Sequence, residues 1–267
     1  MDHYTLSHKE CTLHYWLTGP QNRPMLIFTH GATADHLMFE PQIAEFAKDY
    51  RILVHDVRGH GESRPLNVPF SLEDCADDLL AMLDALEVKD AVMIGQSMGG
   101  LIAQRLYLKA PARVQAMVII GSVCIAIPYS KIEVWVLKVT VPLFNFVPYG
   151  SFKRLVSNSV GVTPETRTYM ARTLEKLSHK EFLQIWKGVS LAVDTRGLPN
   201  HHIRVPLLLT HGDQDNTGTI RRDAPRWAAY DPDVRYVVIP NASHNANQDN
   251  PAFFNQKLRD FLTERVG

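Results

Sequence analysis

The chain has 267 residues, of which 45% are hydrophobic and 21% are charged, as is usual for a globular protein of one large domain or two small ones. Lys and Arg together number 28, and so do Asp and Glu, so net charge gives no reason to expect a nucleic acid or an anionic membrane as a partner. The three cysteines are too widely spaced to suggest a disulfide framework or a metal site, and they favour a reducing compartment. Because the N-terminus lacks the basic and then apolar pattern of a secretory signal, we expect a cytoplasmic protein.

Short apolar runs alternate with segments of helical periodicity along the chain. Two more polar segments near the N-terminus, residues 4–7 and 12–17, predict an antiparallel hairpin at one edge of a sheet. Six further strands are predicted from apolar runs at 25–30, 51–56, 91–95, 114–120, 206–210 and 234–239. Since these runs are continuously apolar, both of their faces should be covered, as in a parallel sheet.

Three helices between or after these strands have recognisable ends. Ser71 is predicted to cap the first helix, and the second should run from Met98 to about Lys109. The last should begin at Pro251 with Asn250 as its cap. Alternating strands and helices predict an α/β protein with a mostly parallel central sheet flanked by helices.

From Gly121 to Val205 the sequence shows no convincing central strand. Thr163 followed by proline predicts a helix start, and Ser178 with Glu181 predicts a capping box. We interpret this interval as a helical lid inserted after the sixth strand. The predicted organisation is therefore a core formed by residues 1–121 and 204–267, with a cap formed by residues 122–203.

The pentapeptide Gly95–Gly99 has the pattern G-x-S-x-G where a predicted strand meets a predicted helix. This is the pattern of a nucleophile elbow, in which flanking glycines relieve a strained turn and leave the serine hydroxyl exposed at the sheet edge. The N-terminal amides of the following helix favour an anion beside that serine. Ser97 is therefore the predicted nucleophile.

A serine hydroxyl needs a neighbouring base, and in this architecture the chain order is serine, acid, histidine. His244 lies in the loop after the last predicted strand and is the candidate base. Asp213 and Asp215 follow the preceding strand, and spacing alone leaves either as the acid and the other as a loop cap. Asp249 is assigned instead to the N-terminus of the final helix.

Two backbone amides are expected to stabilise the oxyanion. One belongs to Met98, directly after the nucleophile, and the other to Ala32, in the loop after the first parallel strand. His30 is predicted to brace that loop rather than to take part in catalysis.

Taken together, these motifs resemble the α/β-hydrolase superfamily, in particular the capped branch of serine esterases, lipases and haloperoxidase-like enzymes. The resemblance covers nearly the whole chain apart from the lid. The motifs that carry it are His30-Gly31 and the segments 56–63, 95–100, 212–215 and 243–244.

The resemblance also implies roles for individual residues. It places the acid three residues after the glycine of the late turn, which favours Asp215 over Asp213. It makes segment 56–63 a structural loop, so that Arg58, His60 and Ser63 have no catalytic role. Two departures are Gln96, where many relatives carry histidine, and the absence of a proline after Asp215.

The implied function is that of a serine hydrolase of the carboxylesterase type. It would cleave esters of small to medium apolar substrates through an acyl-enzyme on Ser97, with no cofactor and no metal. A serine at this position argues against the dehalogenase and epoxide-hydrolase branches, which need a carboxylate nucleophile. The alternatives are a lactonase, a thioesterase, a carbon–carbon bond hydrolase or lyase with the same triad, and a slow-turnover ligand-binding receptor.

The lid segment 132–149 is rich in apolar residues. Trp135, Phe144 and Phe146 are predicted to line an acyl pocket above Ser97, and the alternative is that they only pack the lid onto the sheet. The expected partner is a small-molecule ester, with no nucleic acid and no stable membrane insertion. The chain is expected to be a monomer or a homodimer.

Overall fold

The computed structural model describes residues 1–144, 147–192, 195–198 and 200–266. The strands in this part of the chain are β1 (Asp2–His8), β2 (Cys11–Thr18), β3 (Met25–Thr29), β4 (Arg51–His55), β5 (Ala91–Gln96), β6 (Val114–Ile120), β7 (Leu207–Gly212) and β8 (Val234–Ile239). They form one sheet in the order β1-β2-β4-β3-β5-β6-β7-β8. β2 pairs antiparallel with β1 and β4. The other neighbouring strands in this order, from β4 and β3 through to β7 and β8, are parallel to each other. The predicted edge hairpin and mostly parallel sheet are thus confirmed.

The helices are α1 (Glu40–Phe46), α2 (Leu72–Ala85), α3 (Met98–Lys109), α4 (Lys131–Leu143), α5 (Tyr149–Ser159), α6 (Pro164–Lys176), α7 (His179–Ser190), α8 (Ile220–Tyr230), α9 (Ala246–Asp249) and α10 (Pro251–Arg265). The predicted caps are present at Ser71, Thr163, Ser178 and Asn250, whose side chains accept from backbone amides of the first turn. None of the described helices combines the length and the apolarity that a membrane span requires.

The sheet separates two apolar clusters. Ile27 of β3 packs in one cluster with Leu79 and Ile102, which belong to α2 and α3. Its neighbour Phe28 packs in the other cluster with Phe254 of α10. Successive side chains of a strand point to opposite faces, so two covered faces explain why the strand sequences are continuously apolar.

The helices α4 to α7 lie between β6 and β7, and we call them the inserted helices. They occupy the interval in which the sequence shows no central strand. The division of the chain at residues 121/122 and 203/204 stays a prediction. Their position in the chain matters because β6 ends next to β5, the strand that precedes Ser97.

Candidate active site

Ser97 lies at the junction of β5 and α3, in a strained turn. Its φ of 50° and ψ of −110° are unfavourable for a residue with a Cβ atom. A Cβ on Gly95 would lie 2.4 Å from the backbone carbon of Gly99, and a Cβ on Gly99 would lie 2.0 Å from the carbonyl oxygen of Thr29. The strand and the helix can approach this closely because both positions are glycine.

His244 lies in the loop between β8 and α9, with its side chain 8% exposed. Its Nδ1 atom is 3.0 Å from Oδ2 of Asp215, and Oδ1 of Asp215 accepts a hydrogen bond of 2.8 Å from the amide of Thr217. Burial acts to raise the pKa of Asp215, but the charge and hydrogen bond of His244 and the Thr217 bonds outweigh it and hold that pKa below its usual value. An ionised Asp215 is therefore placed to orient the imidazole ring.

The structure separates the two aspartates that spacing alone leaves equivalent. The Oδ1 atom of Asp213 accepts from the amide of Ala242, at 3.0 Å. It therefore fixes the start of the loop that carries His244, whereas Asp215 contacts the ring itself.

Two glycines let the loops around Ser97 converge. A Cβ on Gly31 would lie 2.0 Å from Oε1 of Gln96 and 3.3 Å from Cβ of Ser97, so the loop after β3 passes directly against the elbow. A Cβ on Gly121, after β6, would lie 3.2 Å from Nδ1 of His244 and 3.3 Å from Oδ2 of Asp215. The site is thus built from the carboxyl ends of neighbouring parallel strands.

The two predicted oxyanion donors are the backbone amides of Ala32 and Met98. Ala32 lines the same cavity as Ser97 and His244. Met98 is the first residue of α3, and the first amides of a helix have no acceptor within it. Met98 is fully buried and its side chain packs in the core, so its predicted role rests on the backbone amide alone.

Two residues hold the histidine loop through contacts that the sequence analysis missed. The buried Gln96 donates from Nε2 to the carbonyl oxygen of His244, at 3.1 Å. Asp249 was assigned to the N-terminus of α10, and it lies directly before the predicted cap Asn250, as the last residue of α9. The carboxylate of Asp249 accepts from the amide of Ser243, at 2.8 Å, and from the amides of residues 162 and 163, before α6. The only signal in the sequence was a carboxylate in the same short loop as the histidine.

The segment 56–63 makes structural contacts. The guanidinium of Arg58 binds Asp78 through two hydrogen bonds of 2.7 and 2.6 Å. Ser63 accepts from the amide of His14, at 2.8 Å, and His30 accepts from the amide of Val57, at 3.0 Å. His30 therefore braces the loop after β3, as predicted.

A cavity of about 580 Å³ opens above Ser97. Its wall opposite the sheet comes from the inserted helices and is mostly apolar. Four aromatic side chains of this wall pack against one another, with ring centroids 4.6 to 6.1 Å apart: Phe144, Phe152, Phe182 and Trp186. Such a cavity has the size and character of a site for a small apolar molecule.

The predicted pocket residues have different outcomes. Phe144 lines the cavity. The prediction for Trp135 was wrong, because its side chain is not part of the cavity lining, to which α4 contributes Ile132 and Val136 instead. Phe146 lies outside the described residues. The sequence also missed Phe182 and Trp186, which are four residues apart on one face of α7.

Across the part of the chain that the structure describes, no group of three or more His, Cys, Asp and Glu side chains has the arrangement of a metal site. The polar groups of the site include the hydroxyl of Ser97, the imidazole of His244 and the carboxylate of Asp215 behind it. These are the groups that acyl transfer requires.

Comparison with known proteins agrees with this geometry. Residues 24–139 match the family model described as the alpha/beta hydrolase fold. An uncharacterized carboxylesterase of Bacillus subtilis is 26% identical over 270 aligned residues, which cover 95% of this chain and 84% of that protein. A 3-oxoadipate enol-lactonase of Acinetobacter baylyi is also 26% identical, over 95% of this chain and 94% of its own. The structure of a thermophilic esterase from Thermogutta terrifontis superposes with a TM-score of 0.84 at 20% identity, over 99% of both chains.

The sheet order, the serine at a strained elbow and the chain order of serine, aspartate and histidine are those expected of the α/β-hydrolase fold. The chain therefore has the α/β-hydrolase fold. The relatives named above include a carboxylesterase and an enol-lactonase, both of which are named for opening an ester bond.

Proposed function

We propose that this protein is a serine hydrolase that cleaves carboxylic esters through an acyl-enzyme on Ser97. The observation that carries the proposal is the buried pair of His244 and Asp215, 3.0 Å apart, in a site whose cavity is shared by His244 and Ser97. The strained backbone at Ser97 supports it, because such strain is retained where a side chain must be held for chemistry.

In the proposed reaction, Oγ of Ser97 attacks the ester carbonyl carbon and Nε2 of His244 takes the hydroxyl proton. Nδ1 of His244 is bonded to Asp215, so the ring can hold that proton as a stabilised cation. The amides of Ala32 and Met98 would bind the oxyanion that develops, and a donor of this kind typically contributes a hundred- to thousandfold in rate.

The tetrahedral intermediate then loses the alcohol, which receives the proton from His244, and the acyl group stays on Ser97. Water attacks the acyl-enzyme, with His244 as base, and the departing serine oxygen recovers the proton. One ester and one water are consumed, and the products are one carboxylic acid and one alcohol.

The predominantly apolar wall of the cavity supports a small-molecule ester with an apolar acyl or alcohol part as the substrate. A lactone is the second candidate, because the chain aligns with an enol-lactonase over 94% of that protein and ring opening makes the same demands on the site.

We also propose a cytoplasmic location, supported by Cys11, Cys75 and Cys124, which are buried free thiols.

The first experiment is hydrolysis of p-nitrophenyl esters with acyl chains of two to twelve carbons by the wild type and by Ser97→Ala. We expect turnover of about one per second or more on one range of chain lengths, and a loss of at least about ten-thousandfold in the variant. A fluorophosphonate probe should label Ser97. Absence of labelling would refute the triad, whereas labelling without ester turnover would favour a lactonase or a ligand-binding receptor.

A further inference from the structure

We propose that the site selects uncharged esters and rejects substrates whose acyl chain carries a carboxylate, and that Glu133 contributes to this selection. The inference rests on the proposed ester hydrolysis and concerns the wall of the cavity formed by the inserted helices. The proposed substrate is thus an ester that has an apolar acyl or alcohol part and carries no charge.

The described part of the cavity lining has no lysine or arginine that could pair with a bound carboxylate. Among the described residues that line it, Glu133 is the sole acidic residue. The remaining side chains of the wall formed by the inserted helices are mostly aliphatic and aromatic, with Ser159 and Ser190 as neutral polar groups. A substrate carboxylate that packs against this wall would lose its hydration without gaining an ion pair with a lysine or arginine.

Glu133 is held as a carboxylate in the first turn of α4. Its Oε2 atom accepts from the amide of Ser130, at 2.8 Å, and its Oε1 atom is 2.5 Å from Nη2 of Arg222 in α8. Hydrogen bonds from Ser130 and then from Arg222 lower the pKa of Glu133. A second negative charge nearby would therefore meet electrostatic repulsion.

Arg222 is not available to neutralise such a substrate. Its guanidinium binds both oxygens of Asp223, at 2.8 Å each, besides its bond to Glu133. Arg222 is outside the cavity lining, and its side chain is 56% exposed. Arg226 also donates to Asp223, at 3.2 Å, so two guanidinium groups are shared between two carboxylates. Both arginines are outside the cavity lining, and Glu133 is the member of this cluster that lines the cavity.

The test compares three p-nitrophenyl esters of equal acyl length. They are the hexanoate, the mono-ester of adipate, which ends in a carboxylate, and the methyl ester of that adipate, which ends in a neutral polar group. We expect kcat/KM of the two neutral esters to agree within about tenfold and to exceed that of the anionic ester by about a hundredfold. A ratio below about tenfold between the methyl ester and the anionic ester overturns the proposal.

The contribution of Glu133 is tested by Glu133→Gln, which keeps the shape and removes the charge. The ratio of kcat/KM between the methyl ester and the anionic ester should fall by about three- to tenfold. The matched control is Glu165→Gln, the same charge change on the exposed surface of α6 and away from the cavity, where the ratio should stay the same. An equal ratio in both variants overturns the role of Glu133.

Failure of the proposed function has a different signature. In that case none of the three esters is turned over and the fluorophosphonate probe does not label Ser97. Failure of the present inference instead appears as efficient hydrolysis of the anionic ester by a labelled, active enzyme. Thermal unfolding of both variants checks that each is folded before the ratios are compared.

Discussion

The two walls of the cavity are built in different ways. The sheet side presents Ser97 and His244 on turns that are fixed by close glycine contacts and buried hydrogen bonds. The inserted helices present aliphatic and aromatic side chains, and some of these, such as Ile132 and Leu155, are 74% and 67% exposed. The difference teaches that the reacting groups depend on tightly packed turns that tolerate little change. The choice of substrate depends on side chains of the inserted helices, which can be substituted without disturbing those turns.

Polar contacts join the two walls at a few points. Asp249 binds the backbone before α6, and Asp35, in the loop after β3, receives hydrogen bonds from Tyr169 and Lys176 of α6. Both contacts fall on loops of the active site, one beside His244 and one beside Ala32. The inserted helices are therefore bonded to the same loops that carry the predicted catalytic groups.

The largest effect is expected from Asp215→Asn, on the sheet side. Loss of the carboxylate would leave His244 without its orienting charge, and kcat should fall by about ten-thousandfold. Asp213→Asn is the matched control, because Asp213 contacts the amide of Ala242 and not the ring, and its kcat should change less than about tenfold. Steady-state kinetics of both variants show which aspartate supports His244. Similar losses of kcat in the two variants would contradict the assignment of Asp215 as the acid.

A second prediction concerns acid stability, and it also belongs to the sheet side. Burial lowers the pKa of His30 and His55 to about 4 and that of His60 to about 3, from a usual value of 6.5. Because these rings bind protons more readily once the chain unfolds, stability is full above pH 6.5 and falls as the pH decreases toward 4. The loss is about 2 kcal/mol for each ring by pH 5.

Denaturant unfolding between pH 7.5 and pH 4.5 measures this loss. Replacing one ring, as in His55→Asn, should make the curve shallower over this range even if the variant is less stable at pH 7. A free energy of unfolding that is constant down to pH 4.5 would show that the buried rings do not control acid stability.

The third prediction contrasts glycines from the two regions. Gly99→Ala would place a Cβ 2.0 Å from the carbonyl oxygen of Thr29, so it should lower the free energy of unfolding by about 3 kcal/mol. Gly150→Ala, in α5, meets no atom within 4 Å and should leave stability equal or slightly higher, because alanine favours the helix by about 1 kcal/mol. Thermal or urea unfolding measures both, and equal destabilisation would argue against a tightly packed elbow.

The smallest effect is expected from the inserted helices. Phe144→Ala should lower kcat/KM for long-chain p-nitrophenyl esters about tenfold relative to the acetate, because the aromatic wall loses a ring. Trp135→Ala removes an exposed ring of the same segment and should leave that ratio as it is. If the two variants behave alike, the cavity does not bind the acyl chain along this wall.

The sheet side was predictable from the sequence because its signals are local. The elbow is a pentapeptide between a strand and a helix, and the histidine loop follows the last strand, so Ser97 and His244 could be chosen without knowing any distance. The choice of Asp215 over Asp213 could not be made from position alone, since both residues follow the same strand. It came from the family resemblance and is matched by the contact with His244.

The cavity wall was not predictable in the same way. α4 is apolar around most of its circumference, so its sequence does not say whether Trp135 or Ile132 faces inward, and only packing against other helices decides this. Phe182 and Trp186 have helical spacing that fits core packing equally well. The contacts of Asp249 with the histidine loop were not predictable for another reason. Its position next to Asn250 and Pro251 resembles an ordinary helix start.

The contacts of Asp249 have a consequence for engineering. The segment 159–163 is bonded to the histidine loop not only through that carboxylate but also through the carbonyl oxygens of Ser159 and Val160, which accept from Ser243 and from the amide of Asn245. A graft that replaced all inserted helices with those of another hydrolase would therefore cut bonds that hold His244 in place. A transplant that keeps residues 159–163 with the host sheet is the design that exchanges the substrate preference and leaves the reaction intact.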